Sequence, residues 1–81
     1  MELEIRLFTG LKCNNQELPC FGKQEFYLDA PDEITVRELH GILGLDRKTS
    51  LISLINGLSR PDEWVLKNKD RVGIFPPVGG G

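Results

Sequence analysis

The chain of 81 residues is poor in the side chains that bind metals or form covalent intermediates: it holds one histidine and two cysteines. A structural zinc site takes about four ligands. Cys13, Cys20 and His40 fall short of that, and His40 sits near the middle of an expected helix, at its surface or boundary, so no metal site is expected. Neither cysteine has a matched histidine base, and no set of base, nucleophile and metal ligand converges, which argues against an enzyme acting alone. Long apolar runs are missing too. No stretch approaches the roughly 20 residues of a membrane helix, and Met1-Glu2-Leu3-Glu4 lacks the basic segment and hydrophobic core of a secretory signal. A cytoplasmic location is the default expectation. There Cys13 and Cys20 stay reduced, whereas an oxidising compartment would let them close a disulfide. An excess of positive charge is also absent. The formal net charge is -2, and Lys67, Lys69 and Arg71 form a short basic interval that Asp70 interrupts, so neither nucleic acid nor membrane is an expected partner.

What is present describes one small soluble domain. The apolar fraction of 40% and charged fraction of 27% are those of a globular chain, and Phe8, Phe26, Phe75 and Trp64 are available to anchor a modest core. Leu3 to Phe8 alternates apolar and charged residues at period two, the pattern of a half-buried strand. Gln24 to Leu28 is a second strand, reached through a long connection, Leu11 to Gly22, that carries both cysteines, Pro19 and an Asn14-Asn15 pair. Thr35-Val36-Arg37-Glu38 is a capping box that opens a helix of two to three turns, which runs out between Gly41 and Gly44. Leu51 to Ile55 is a third strand. Asn56-Gly57 then favours a tight hairpin, with a short return strand from Leu58 broken by Pro61-Asp62. After a polar turn at Lys67 to Asp70, Arg71 to Phe75 is the last strand. One helix covers one face of a sheet. The expected fold is therefore α+β, a β-grasp roll with a mixed four- to five-stranded sheet against one main helix, over residues 1–78.

The last strand empties into Pro76, Pro77 and Val78 and then into Gly79, Gly80 and Gly81, where the sequence stops at a carboxylate. The proline pair resists helix and stiffens the exit from the domain. Glycines without a Cβ can follow a channel that any side chain would block, and three of them reach roughly 10 Å when extended. The tail, residues 79–81, reads as a flexible segment presented to a partner; a passive frayed end is the plain alternative.

Ile55-Asn56-Gly57, the turn Leu66 to Val72, and above all Phe75-Pro76-Pro77-Val78-Gly79-Gly80-Gly81 resemble the MoaD/ThiS-like ubiquitin-related sulfur carriers. That family includes the small subunit of molybdopterin synthase and the carrier of thiazole biosynthesis, and the wording of the tail is closer to the former. Where the family often has Gly-Asp before its last strand, this chain has Lys69-Asp70, so that turn is expected either to differ or to manage without its glycine.

The resemblance implies a carrier with no bound cofactor. A ubiquitin-activating-like adenylyltransferase would use MgATP to adenylate the Gly81 carboxylate, and a persulfide sulfur donor would convert it to a thiocarboxylate. The large catalytic subunit of molybdopterin synthase would receive the sulfur. Gly79 and Gly80 would allow passage of the tail, while Pro76, Pro77 and Val78 would aim it. Phe75 would be either a core side chain or a partner-facing anchor, and Asp70 and Arg71 would form a rim contact. Three other outcomes remain open at this point: a carrier for thiazole synthesis or tRNA thiolation, a ubiquitin-like covalent protein modifier, and a noncovalent β-grasp binding module.

Overall fold

The computed structural model describes residues 1–45 and 50–76. Five strands and one helix follow in the order β1 (Glu2–Leu7), β2 (Glu25–Asp29), α1 (Val36–Ile42), β3 (Ile52–Ile55), β4 (Leu58–Ser59) and β5 (Arg71–Phe75). They form one mixed sheet in the spatial order β2-β1-β5-β3-β4. β1 and β5 run parallel in the middle, with Ile5 opposite Val72 and Leu7 opposite Ile74. β2 adds antiparallel to β1, β3 antiparallel to β5, and β4 closes the far edge by pairing with β3. This is the expected β-grasp architecture, and the strands fall within a residue or two of their expected bounds.

The alternation in the sequence decides which face is covered. Leu3, Ile5 and Leu7 of β1, Leu28 of β2, Ile55 of β3, and Val72 and Ile74 of β5 are buried, and they meet Val36, Leu39 and Leu43 from the helix. Each fully buried leucine or isoleucine contributes about 1.5–3 kcal/mol relative to exposure, so this single layer contact is the main source of stability.

Helix α1 is short, and both of its ends are tied down. Thr35 accepts from the Glu38 N–H at 3.2 Å while the Glu38 carboxylate accepts from the Thr35 N–H at 2.9 Å, which completes the capping box. Two more first-turn donors, the N–H groups of Val36 and Arg37, reach the carbonyls of Trp64 and Asp62 at 2.9 Å each. At the other end Gly44 takes φ +69°, with its N–H donating to the Gly41 carbonyl at 3.1 Å and the Leu45 N–H to the His40 carbonyl at 3.0 Å. That pair of bonds is a Schellman closure.

Two expectations need correction. His40 is not a surface or boundary residue: it is 5% exposed, and its Nε2 lies 2.9 Å from the Ser53 hydroxyl on β3. It lies four residues after Val36 and three before Leu43, on the same stripe as Leu39, so the helical period turns it toward the sheet. Phe8 and Phe75 do not anchor the core. Each follows a buried residue, Leu7 and Ile74 respectively, and successive strand side chains point to opposite faces. Phe26 and Trp64 do pack against the core from its margin, and the Trp64 ring also carries the Arg60 guanidinium 4.1 Å from its centroid.

Candidate functional site

The strand that leads to the tail lies in the interior of the sheet, not at its edge. β5 pairs parallel with β1 from Arg71 to Ile74 and antiparallel with β3 from Val72 to Phe75, so Phe75 is held opposite Ile52 and Pro76 follows directly. Past the end of β1, the Phe8 N–H still donates to the Ile74 carbonyl at 3.0 Å. The tail is therefore rooted at the end of a central strand.

The start of β5 is fixed by a polar knot. Asp70 is 9% exposed, and its carboxylate accepts from the Lys67 N–H at 2.8 Å and from the Asn56 side-chain amide at 2.9 Å. Asn56 in turn accepts from the Arg71 N–H at 2.9 Å, and its own N–H donates to the Arg71 carbonyl at 2.8 Å. Asn56 and Gly57 both have positive φ, +53° and +86°, the geometry of a tight hairpin. One turn residue thus links the β3–β4 hairpin to the first residue of β5. Lys69 occupies the place of the family's turn glycine and adopts a left-handed φ of +73°. Its N–H donates to the Glu2 carbonyl at 2.7 Å and its ammonium reaches the Glu2 carboxylate at 2.7 Å, so the turn keeps a glycine-like shape while its lysine is pinned to β1.

On the face away from the helix, the sheet is open. The rings of Phe8 and Phe75 stack with centroids 4.3 Å apart and planes 4° from parallel. Gly73 lies beside them, and a Cβ placed there would come within 3.2 Å of the Phe8 ring. Arg6, Leu54 and Arg71 complete a shallow depression around this stack. Ile52 of β3, on the same face as Leu54, is exposed as well. The surface is apolar at its centre, with Arg6, Arg71 and Glu4 as charged residues at its margin, and Pro76 follows from its Phe75 end.

Of the residues singled out from the sequence, the structure brings Phe75 and Arg71 onto this face and places Pro76 directly after it. Phe75 thus has the open-face position among its two alternatives. Asp70 lies inside the fold, with both carboxylate oxygens engaged there. Pro77, Val78, Gly79, Gly80 and Gly81 lie outside the described residues, as does the expected domain boundary at residue 78. Phe8, Arg6 and Leu54 are not among the site residues expected from the sequence. Strand parity carried the signal for Phe8, because an aromatic that directly follows three alternating buried residues falls on the opposite face. Leu54, which β3 places away from the helix, could be found the same way.

Among the described residues no group of three or more His, Cys, Asp or Glu side chains is arranged to hold a metal ion. No helix among them is long and apolar enough to cross a membrane. Cys13 and Cys20 are buried free thiols, remote in sequence from the tail.

Comparison with known proteins agrees with this geometry. The sequence matches the ThiS family over residues 11–81. No curated protein matches it. The fold is similar to the crystal structure of SAMP1 from Haloferax volcanii, with a TM-score of 0.66, 22% identity and full coverage of both chains. It is equally similar to a protein provisionally named molybdopterin converting factor, subunit 1, from Pyrococcus furiosus, with a TM-score of 0.66 and 22% identity over 95% of this chain and 98% of that one. The solution structure of the Haloferax volcanii HVO 2177 protein gives a TM-score of 0.62 at 28% identity, covering 100% of this chain and 87% of the other.

Proposed function

The chain belongs to the ThiS family, and from that premise we propose that it is a sulfur carrier whose Gly81 carboxylate is converted to a thiocarboxylate and supplies sulfur for molybdopterin synthesis. The observation that carries the reading is the junction of β5 with the tail. A strand locked on both sides ends at Phe75 and continues as Pro-Pro-Val-Gly-Gly-Gly within the family match.

The chemistry follows from the properties of a carboxylate. It is ionised at neutral pH, with an ordinary pKa of about 3.5, and is a poor electrophile. Transfer of AMP from MgATP, with release of pyrophosphate, gives it a leaving group. The terminal sulfur of a persulfide then attacks the carbonyl carbon, AMP departs, and a second thiol reduces the resulting acyl disulfide to the thiocarboxylate. The chain itself contributes presentation. Gly79 and Gly80 admit the tail to a narrow active site, Pro76, Pro77 and Val78 aim it, and the domain keeps the sulfur tethered instead of releasing it as sulfide. The adenylating and sulfur-accepting steps belong to partners: a ubiquitin-activating-like adenylyltransferase and a large catalytic subunit. The open face around the Phe8–Phe75 stack, with Arg71 at its rim, is the surface such partners would grip while the tail is inserted.

Intact-protein mass spectrometry tests this after incubation with MgATP, an activating enzyme proven on another carrier, and a persulfide donor. The expected result is a mass gain equal to exchange of one oxygen for sulfur, mapped by fragmentation to Gly81. A chain that stays unmodified under these conditions refutes the carrier reading. Adding the large subunit and a pyranopterin precursor then tests the pathway: loss of the sulfur with formation of a dithiolene product is expected, and retention of the thiocarboxylate points to another recipient.

A further inference from the structure

The Cys13–Lys23 segment plays no part in the tail chemistry, yet the fold brings its two thiols into contact. The Cys20 S–H donates to the Cys13 sulfur at 3.0 Å, although the residues are seven apart in sequence. Both side chains are buried, Cys13 at 1% and Cys20 at 4% exposure. The backbone enforces this approach. The Cys13 N–H donates to the Lys23 carbonyl at 3.0 Å, the Gly22 N–H to the Cys13 carbonyl at 2.8 Å, and the Lys23 N–H to the Cys20 carbonyl at 2.8 Å, so the segment is a closed loop tied at its neck. Its outer part is moored to the end of α1 by the Asn14 N–H on the Leu43 carbonyl and the Asn15 side-chain amide on the Ile42 carbonyl, both at 2.8 Å. A disulfide needs its sulfurs at about 2.05 Å. From the observed contact of 3.0 Å the sulfurs have to approach by about 1 Å.

We propose that Cys13 and Cys20 form an intramolecular disulfide site, oxidised by low-molecular-weight disulfides, that staples the Cys13–Lys23 loop. In the first step the thiolate of one cysteine attacks a small disulfide, forming a mixed disulfide and expelling one small thiolate. The second cysteine then loses its proton, its sulfur attacks the protein sulfur of the mixed disulfide, and the second small thiolate leaves. Two protein thiols are oxidised, one small disulfide is reduced to two thiols, and both protons end on the small thiols. Because both thiols are buried, the first step takes place when the loop opens locally, and reclosing brings the second sulfur onto the mixed disulfide and favours the internal bond. Burial also disfavours cross-linking between chains. The tail chemistry is not required for any of this.

The test equilibrates the full chain in glutathione buffers of graded [GSH]²/[GSSG], approached from both the reduced and the oxidised side. Each sample is quenched in acid, alkylated and weighed. Lys12 and Lys23 bracket both cysteines, so trypsin releases them in one peptide. The expected product is a peptide lighter by two hydrogens that resists alkylation until reduced. Its midpoint in the folded chain should lie at a [GSH]²/[GSSG] ratio about tenfold or more above that of the same chain in guanidinium, where loop-closure entropy opposes the bond. A folded midpoint no higher than the denatured one overturns the proposal. So does accumulation of glutathione adducts or linked dimers in place of the internal bond.

Discussion

Replacing Gly44 and Gly57 in turn by alanine separates two ways in which a side chain can offend a left-handed turn. Both glycines have positive φ, +69° and +86°. The surroundings differ. A Cβ on Gly57 meets nothing within 4 Å, whereas one on Gly44 would lie 2.7 Å from the Asn14 carbonyl oxygen and 2.8 Å from its carbon. Gly57→Ala therefore bears only the left-handed backbone penalty, about 1 kcal/mol. Gly44→Ala bears that and a clash with backbone atoms that no rotamer relieves. Escape means moving the cysteine loop off the helix, which breaks the Asn14–Leu43 and Asn15–Ile42 hydrogen bonds at about 1 kcal/mol each. The sum is about 3 kcal/mol. In a domain of this size the difference shows as a Tm lowered by roughly 5 °C for Gly57→Ala and roughly 15 °C for Gly44→Ala. Urea unfolding followed by Trp64 fluorescence measures both, with unchanged m-values required for a fair comparison. Equal losses in the two variants, within about 0.5 kcal/mol, would refute the claim that the loop is packed hard against the helix end.

Asp70→Ala should lower stability by about 3 kcal/mol, since it removes two charge-assisted hydrogen bonds and leaves the Lys67 N–H and the Asn56 amide unpaired; a loss under about 1 kcal/mol by urea titration would contradict the polar knot. A double-mutant cycle on Phe8→Ala and Phe75→Ala should return a coupling of about 0.5–1.5 kcal/mol for the stacked rings, and strictly additive losses would count against the stack in solution. Burial, with the Cys13 sulfur next, pushes the Cys20 thiol up from its ordinary 9.0 to about 11. The fold favours the neutral thiol, so this contribution is fully present below pH 9 and is lost as pH rises toward 11. Urea midpoints at pH 8 and pH 10.5 should therefore fall further in the reduced wild type than in Cys20→Ala, and parallel falls would rule the effect out.

Local chemistry made much of this fold legible in the sequence. Period-two alternation from Leu3 to Leu7, the Thr35–Glu38 capping box and the Asn56-Gly57 turn each specify their own geometry with few distant partners, and each stands where it was expected. The burial of His40 is not local, because it depends on what the helix packs against: a polar side chain on the apolar stripe is tolerable only when a group such as the Ser53 hydroxyl meets it from β3, and that meeting is a long-range fact. Residue type makes Phe8 a core candidate and leaves Phe75 either in the core or facing a partner, while strand parity puts both on the other face. Their stacking depends on the parallel pairing of β1 with β5, which no local pattern announces. Asp70 was legible as a turn residue, but its second bond, to Asn56, spans the hairpin. The approach of Cys13 to Cys20 has the same origin, since it rests on a loop neck tied by backbone groups whose pairing the sequence does not spell out.

The central place of β5 has a mechanical consequence. A load applied at Pro76 runs along the strand axis, and the ladders to β1 and β3 lie on either side of that axis. Their hydrogen bonds stand perpendicular to the pull and must yield together in shear, whereas a tail attached to an edge strand such as β4 could be peeled away one bond at a time. A molecule that hauls the glycine end into a tight slot is thus drawing on a rope spliced into the middle of the fabric, and the force it exerts arrives at the whole sheet.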